Sequence, residues 1–155
     1  MSWLLKKRYR ELIAPEKGCP QKARGDQLSV CLAYPNSYRT GMANLGFQTV
    51  FALLNRHQAF YCERAFLPEP GDETLFIPGS TPLFSLESQK PLKDFDIVAF
   101  SISFENDYPH ILKMLDMAGI PLLARDRHQG TPLIVGGGIA VTLNPEPLSD
   151  FFDLF

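Results

Sequence analysis

Three short runs, "QLSVCLAY", "DIVAFSISF" and "PLIVGGG", constrain the fold of this chain more than any other feature. Each is strongly apolar. In the first, Leu28, Val30 and Leu32 alternate with Cys31 and Ala33, so both faces ask to be buried. Strands of that kind belong inside a sheet covered by helices on either side. Between the runs lie stretches with helical spacing. In "GMANLGFQTVFALLN", Met42, Leu45, Thr49, Val50, Leu53 and Leu54 keep the period of one helix face. Phe47 and Phe51 widen that stripe, either as a generous core or as a surface for a partner domain.

The remaining elements follow from local signals. "AFYCERAFLP" reads as a strand, and "TLFIP" as a short strand within the long, proline-rich segment 68–95. After "DIVAFSISF", Asp107 or Tyr108 caps a helix with Pro109 in its first turn. Ile111, Leu112, Leu115 and Ala118 form its expected buried stripe, Gly119 ends it, and Pro121 follows. "NPEPLSDFFDLF" opens a last helix or turn. Strands alternating with helices predict an α/β domain, a doubly wound, mostly parallel open sheet of flavodoxin-like or Rossmann-like type. Residues 1–26 read as a basic helix and tether, and 27–155 as the domain. The apolar end "FFDLF" reads as a cut inside a larger protein, with self-association through Phe151, Phe152, Leu154 and Phe155 as the expected consequence.

Composition excludes several classes of function. A formal net charge of -2 leaves no basic footprint for nucleic acid. No apolar run approaches the roughly 20 residues of a membrane span, and the start lacks a secretion signal. Three cysteines, Cys19, Cys31 and Cys62, are widely spaced and odd in number, as expected of reduced thiols in a cytoplasmic protein.

Ligands of such sheets bind at the carboxyl edge of the strands. The candidate site residues are therefore Tyr34, Asn36, Ser37, Tyr38, Gly41 and Met42, then Ser101, Ser103, Glu105 and Asn106, then Gly136, Gly137, Gly138 and Asn144. They offer small residues, amides and hydroxyls, which make a poor acid–base apparatus. Helix capping accounts for Asp107, and a first-turn position for Glu146, as well as catalysis does. "GGGIAV" lacks the dinucleotide-binding spacing, and GxxxxGK[ST] is absent. His57, His110 and His128 show no metal-ligand spacing, and no nucleophilic triad is recognisable. No catalytic residue and no metal ligand is assigned.

Taken together, "AYPNSYRTGMANLGFQTVFALLN", "ERAFLP", "PLFSLESQKPLKDFDIVAFSISFENDYPHILKMLDMAGIPL" and "PLIVGGGIAVTLNPEPLSDFFDLF" resemble the amino-terminal region of a radical S-adenosylmethionine (SAM) family. Its members carry a cobalamin-binding-like domain ahead of the radical barrel. The resemblance runs from about Leu28 onward. It implies cobalamin as a cofactor here, and a 4Fe-4S cluster and SAM in a barrel of the same parent chain, which is the implied partner. It also places the glycine turn against the corrinoid's lower face or nucleotide tail, where a side chain would hold the backbone away. The alternative is that these glycines only permit a tight turn. One departure matters. Families that ligate cobalt by histidine carry Asp-x-His-x-x-Gly after the first strand, where this chain reads "YPNSYRTGM". The near-match "DRHQG" at 126–130 has its glycine one residue early and falls at the opposite edge, making His128 a surface-loop residue. The implied function is cobalamin binding without a histidine ligand, assisting radical or methyl-transfer chemistry in the barrel. The alternative is a degenerate module that docks on the barrel without a cofactor.

Overall fold

The computed structural model describes residues 2–18 and 25–155. Cys19 and the expected tether at 19–24 lie outside the described residues. The elements are α1 (Ser2–Ile13), β1 (Leu28–Tyr34), α2 (Tyr38–Met42), α3 (Leu45–Arg56), β2 (Phe60–Phe66), β3 (Ile97–Ser101), α4 (Tyr108–Ala118), β4 (Leu133–Gly137) and α5 (Ile139–Leu143), joined by short 3-10 turns. The sheet has the order β2-β1-β3-β4, and every pair is parallel. Asp153 N donates to Ile134 O and Gly136 N to Leu154 O, both at 2.9 Å, so the chain runs on beside β4 with Leu154 bridged in parallel to Val135. This is the flavodoxin-like arrangement, whose direction reverses between β1 and β3.

Handedness then decides the layers. The connection from β1 to β2 runs one way and that from β3 to β4 the other, so right-handed crossovers place their helices on opposite faces. On one face Phe47 and Phe51 of α3 pack with Val30, Leu32 and Phe66. On the other, Ile111, Met114 and Leu115 of α4 pack with Cys31, Val98, Phe100 and Ile134.

The outer edge of β2 is closed by side chains and a loop, as an unpaired strand edge must be to avoid pairing with another chain. Asn55 bonds both backbone groups of Cys62, each at 3.1 Å. Arg64 N donates to the Glu87 carboxylate at 2.8 Å, and Leu86 N donates to Arg64 O at 2.7 Å. This is the task of the irregular segment 68–95. It also sends Phe76, Leu83, Phe84 and Leu92 into the core. The expected strand "TLFIP" is instead a 3-10 turn over Glu73–Leu75 followed by a single antiparallel bridge between Ile77 and Thr81. Phe76 must point inward while Ile77 faces solvent, and a turn achieves that without a partner strand.

Other sequence expectations shift in detail. The buried side of α3 is Phe47, Phe51 and Asn55, with Leu45, Val50 and Leu53 exposed. The two phenylalanines are core. Met114 and Met117 join the buried stripe of α4, and Leu112 is only half-buried. Gly119 ends α4 in the left-handed region at φ 68°, as its position predicted. The last helix precedes "NPEP": α5 ends with Asn144 as its C-cap, and Glu146 lies in a 3-10 turn over Glu146–Leu148. Helix α1 is bound to the domain. Leu5 is buried in the core, and Arg8 Nη1 contacts both Asp72 carboxylate oxygens at 2.6 Å.

Candidate functional site

The carboxyl edge is built where β1 and β3 diverge. β1 ends in Tyr34, and β3 runs through Ser101 into Ile102 and Ser103. The Tyr34 hydroxyl lies 3.4 Å from Ser103 Oγ, and Asn44 Nδ2 donates to the same Oγ at 3.0 Å. Asn44 is held by its own task, because its Oδ1 caps α3 by accepting Phe47 N at 2.9 Å. A second cluster lies alongside. Asn36 Nδ2 donates to Asp107 Oδ1 at 3.0 Å, and His110 Nδ1 sits 3.4 Å from that oxygen and 3.0 Å from the Pro35 carbonyl.

Asp107 occupies the N-cap position of α4, yet its side chain makes no capping bond. The carboxylate turns toward β1's loop instead. It is 4% exposed, and its Oδ2 has no hydrogen-bond partner among the described residues. The sequence reading missed His110 as part of this edge. Its signal was the spacing of three from Asp107 in the first turn of a helix, which puts both on one side.

Not all candidate residues converge. Tyr34, Asn36 and Ser103 join these clusters, while Ser37 caps α2 by accepting Thr40 N at 3.3 Å. Tyr38, Gly41 and Met42 turn toward β2. The Tyr38 hydroxyl donates to Glu16 at 2.6 Å, and Met42 Sδ lies 3.1 Å from Arg64 Nη1. A Cβ on Gly41 would stand 2.3 Å from the Phe66 ring, so glycine here serves the packing of α2. Glu105 and Asn106 are exposed in a 3-10 turn. Asn144 is exposed too, and its carbonyl accepts the Tyr108 hydroxyl at 3.1 Å. His128 lies in the exposed loop before β4, where its Nδ1 accepts Gly130 N at 3.1 Å.

The glycine turn has three different members. A Cβ on Gly136 would meet the Phe155 ring at 2.8 Å and the Phe152 ring at 3.0 Å. At Gly138, with φ 113°, a Cβ would lie 2.3 Å from the Ile102 carbonyl oxygen. The backbones there are tied together, since Ile102 N donates to Gly137 O at 2.8 Å and Ala140 N to Ile102 O at 3.3 Å. Gly137 alone is exposed with nothing within 4 Å of a Cβ. The neighbouring segments carry exposed apolar side chains, Phe104 at 63% in the turn after β3 and Ile139 at 59% and Leu143 at 77% on α5. A cavity of about 320 Å³ lies further along, at the end of β2, between Tyr9 and Leu12 of α1 and Tyr38, Phe66 and Leu67.

These residues fit a corrinoid only at Gly137. Gly136 and Gly138 are committed to internal packing, and the loop after β1 offers no histidine to cobalt. Among the described residues no cluster of His, Cys, Asp or Glu could hold a metal ion. Cys31 and Cys62 point to opposite faces of the sheet. Burial raises both thiols, Cys62 to about 12 and Cys31 well above its ordinary value. No helix among the described residues is long and apolar enough to cross a membrane.

Comparison with known proteins adds three findings. The family model described as "Radical SAM proteins, N-terminal" matches residues 46–155. An uncharacterized protein of Methanocaldococcus jannaschii is 22% identical over 129 residues, which cover 82% of this chain and 23% of that relative. The chain thus spans less than a quarter of the length of this relative. No solved structure matches.

Proposed function

The chain belongs to the N-terminal family of radical SAM proteins, and from that membership we propose that it is a docking module whose carboxyl edge packs on the radical SAM barrel. The barrel supplies the 4Fe-4S cluster and SAM, and this region supplies a rigid wall. The observation that carries the reading is the apolar rim of Phe104, Ile139 and Leu143 beside the open backbone of Gly137. Large exposed apolar side chains on the segments that form a strand-end edge mark an interaction surface. The polar groups next to that rim bond mainly to one another, as Tyr34, Asn44 and Ser103 do. They hold the two strand ends in fixed relation and leave the contact with the barrel to the rim.

Hydrogen exchange on the full-length protein tests this. Peptides spanning 102–106 and 138–144 should be protected in the wild type and should open in Phe104→Asp/Leu143→Asp, with the core strands unchanged. Equal exchange in both proteins would remove the rim from the interface.

A corrinoid on the same edge is the second reading, favoured by the open backbone at Gly137 and the unpartnered Asp107 oxygen. It requires full-length protein reconstituted with cobalamin to keep a cobalt-corrin spectrum after desalting, and to lose it in Gly137→Val. A colourless protein after desalting would leave the docking reading alone.

A further inference from the structure

One half of the sheet has one face that is only partly covered. In β3, Val98 and Phe100 are buried, whereas Ile97, Ala99 and Ser101 remain half-exposed. In β4, Ile134 and Gly136 are buried, whereas Leu133 is 39% exposed and Val135 half-exposed. Register makes this one continuous surface, because Ile97 pairs with Leu133 and Ala99 with Val135. Parallel sheets are normally covered on both faces. Here α4 and the chain after β4 cover one face of β3 and β4, while on the other face the α3 cluster lies over β1 and β2 and reaches Ile97 and Ala99 of β3 only in part.

The flank of α3 nearest the bare surface is apolar too. At 100° per residue, Gln48 and Ala52 lie on the side that lines a cavity with Arg64 of β2. Val50 and Leu54 therefore lie on the side toward β3, whereas Leu53 points away from the sheet. Val50 is 40% exposed and Leu54 half-buried. Floor and wall together form an apolar trough, open over β3 and β4.

We infer that this trough seats an amphipathic helix contributed by the polypeptide that follows residue 155 in the full-length protein. Three observations point to that occupant. Residues 153–154 run parallel to β4 on its outer side, so the chain leaves the carboxyl edge as a fifth strand would. The face beneath that route is already filled by Ala140, Val141, Leu148 and Phe152, which leaves the bare face for the next element. The matching family is described as N-terminal, and the relative is more than four times longer than the matched region, so more chain follows in its members. This inference does not depend on what the carboxyl edge binds.

The test places a photo-reactive side chain at the trough of the full-length protein, as Val50→p-benzoylphenylalanine in its wall, with Leu133→p-benzoylphenylalanine in its floor as a second variant. Native circular dichroism qualifies each variant. Irradiation should give an intramolecular cross-link to an apolar helix face in the first segment beyond residue 155. Cross-links to the barrel, cross-links between copies in a mixture of light and heavy isotope-labelled protein, or no cross-link from either folded variant would each overturn the proposal. Loss of the rim contact in Phe104→Asp/Leu143→Asp should leave this cross-link in place, which separates its failure from failure of the docking reading.

Discussion

A methyl group on Gly138 would sit 2.3 Å from the carbonyl oxygen of Ile102, and Gly138 holds φ at 113°. The turn after β4 thus closes on the turn after β3, backbone against backbone. Glycine here answers to packing and to a conformation that L side chains rarely adopt. Its neighbour Gly137 is under neither constraint.

The two positions should separate cleanly in a stability measurement. Gly138→Ala combines backbone strain with a clash that no flexible side chain can relieve, and is expected to cost about 3 kcal/mol or more. Gly137→Ala should stay within about 0.5 kcal/mol of the wild type, as exposed substitutions usually do. Urea unfolding followed by circular dichroism measures both. Equal costs would mean that the turn is not closed in this way.

Arg64 offers a second test. It is buried between Glu16, with Nη2 to Oε2 at 2.7 Å, and Glu87, with Nε to Oε1 at 2.7 Å, and its guanidinium lies 4.8 Å from the centre of the Phe51 ring. Burial alone would lower its pKa, but the two carboxylates outweigh that and raise it. Arg64→Met should destabilise by about 3 kcal/mol or more, since it leaves two carboxylates facing each other without their cation. Adding Glu16→Gln and Glu87→Gln should recover part of the loss. If the triple variant is no more stable than Arg64→Met, charge compensation is not what the arginine provides.

The buried thiols set the alkaline behaviour. Cys62 is raised from 9.0 to about 12 in the folded chain, first by burial and then by Glu87. The unfolded chain then releases that proton at lower pH than the folded one. The contribution to stability is complete below about pH 9 and is lost as pH rises toward about 12. Cys31 shifts in the same direction. Urea midpoints should therefore fall from pH 8 to pH 11, and iodoacetamide should leave both thiols unmodified in the native state at pH 8. Rapid native alkylation of either would contradict their placement.

These residues also show what the sequence could reveal. β1, β3 and β4 were legible because parallel strands concentrate branched apolar residues on both faces. The face of α3 was not, because the helix carries more apolar residues than one face can bury. Asn55 looks like a surface residue, yet it is buried because its amide serves both backbone groups of Cys62 at the edge of the sheet. Arg64, Glu16 and Glu87 lie far apart in sequence, and only the fold brings them together. At the carboxyl edge, the three segments were identifiable from topology. Local pattern could not show that Tyr38, Gly41 and Met42 turn toward β2, or that Asp107 pairs with Asn36 instead of capping its helix.

The last prediction concerns the apolar rim and follows from its exposure. Phe104, Ile139 and Leu143 belong to the turn after β3 and to the short helix after β4, and none has a large buried area to lose. In the 155-residue chain, Phe104→Asp and Leu143→Asp should each change stability by no more than about 0.5 kcal/mol, the usual range for surface substitutions. If the rim docks on the barrel as proposed, the same changes in the full-length protein bury an unpaired carboxylate there, which is strongly unfavourable. The double variant should then unfold in two separate thermal steps where the wild type unfolds in one. A rim that merely happened to be apolar would give identical transitions in both. If the short chain itself loses several kcal/mol, the two side chains are structural and do not form a docking rim.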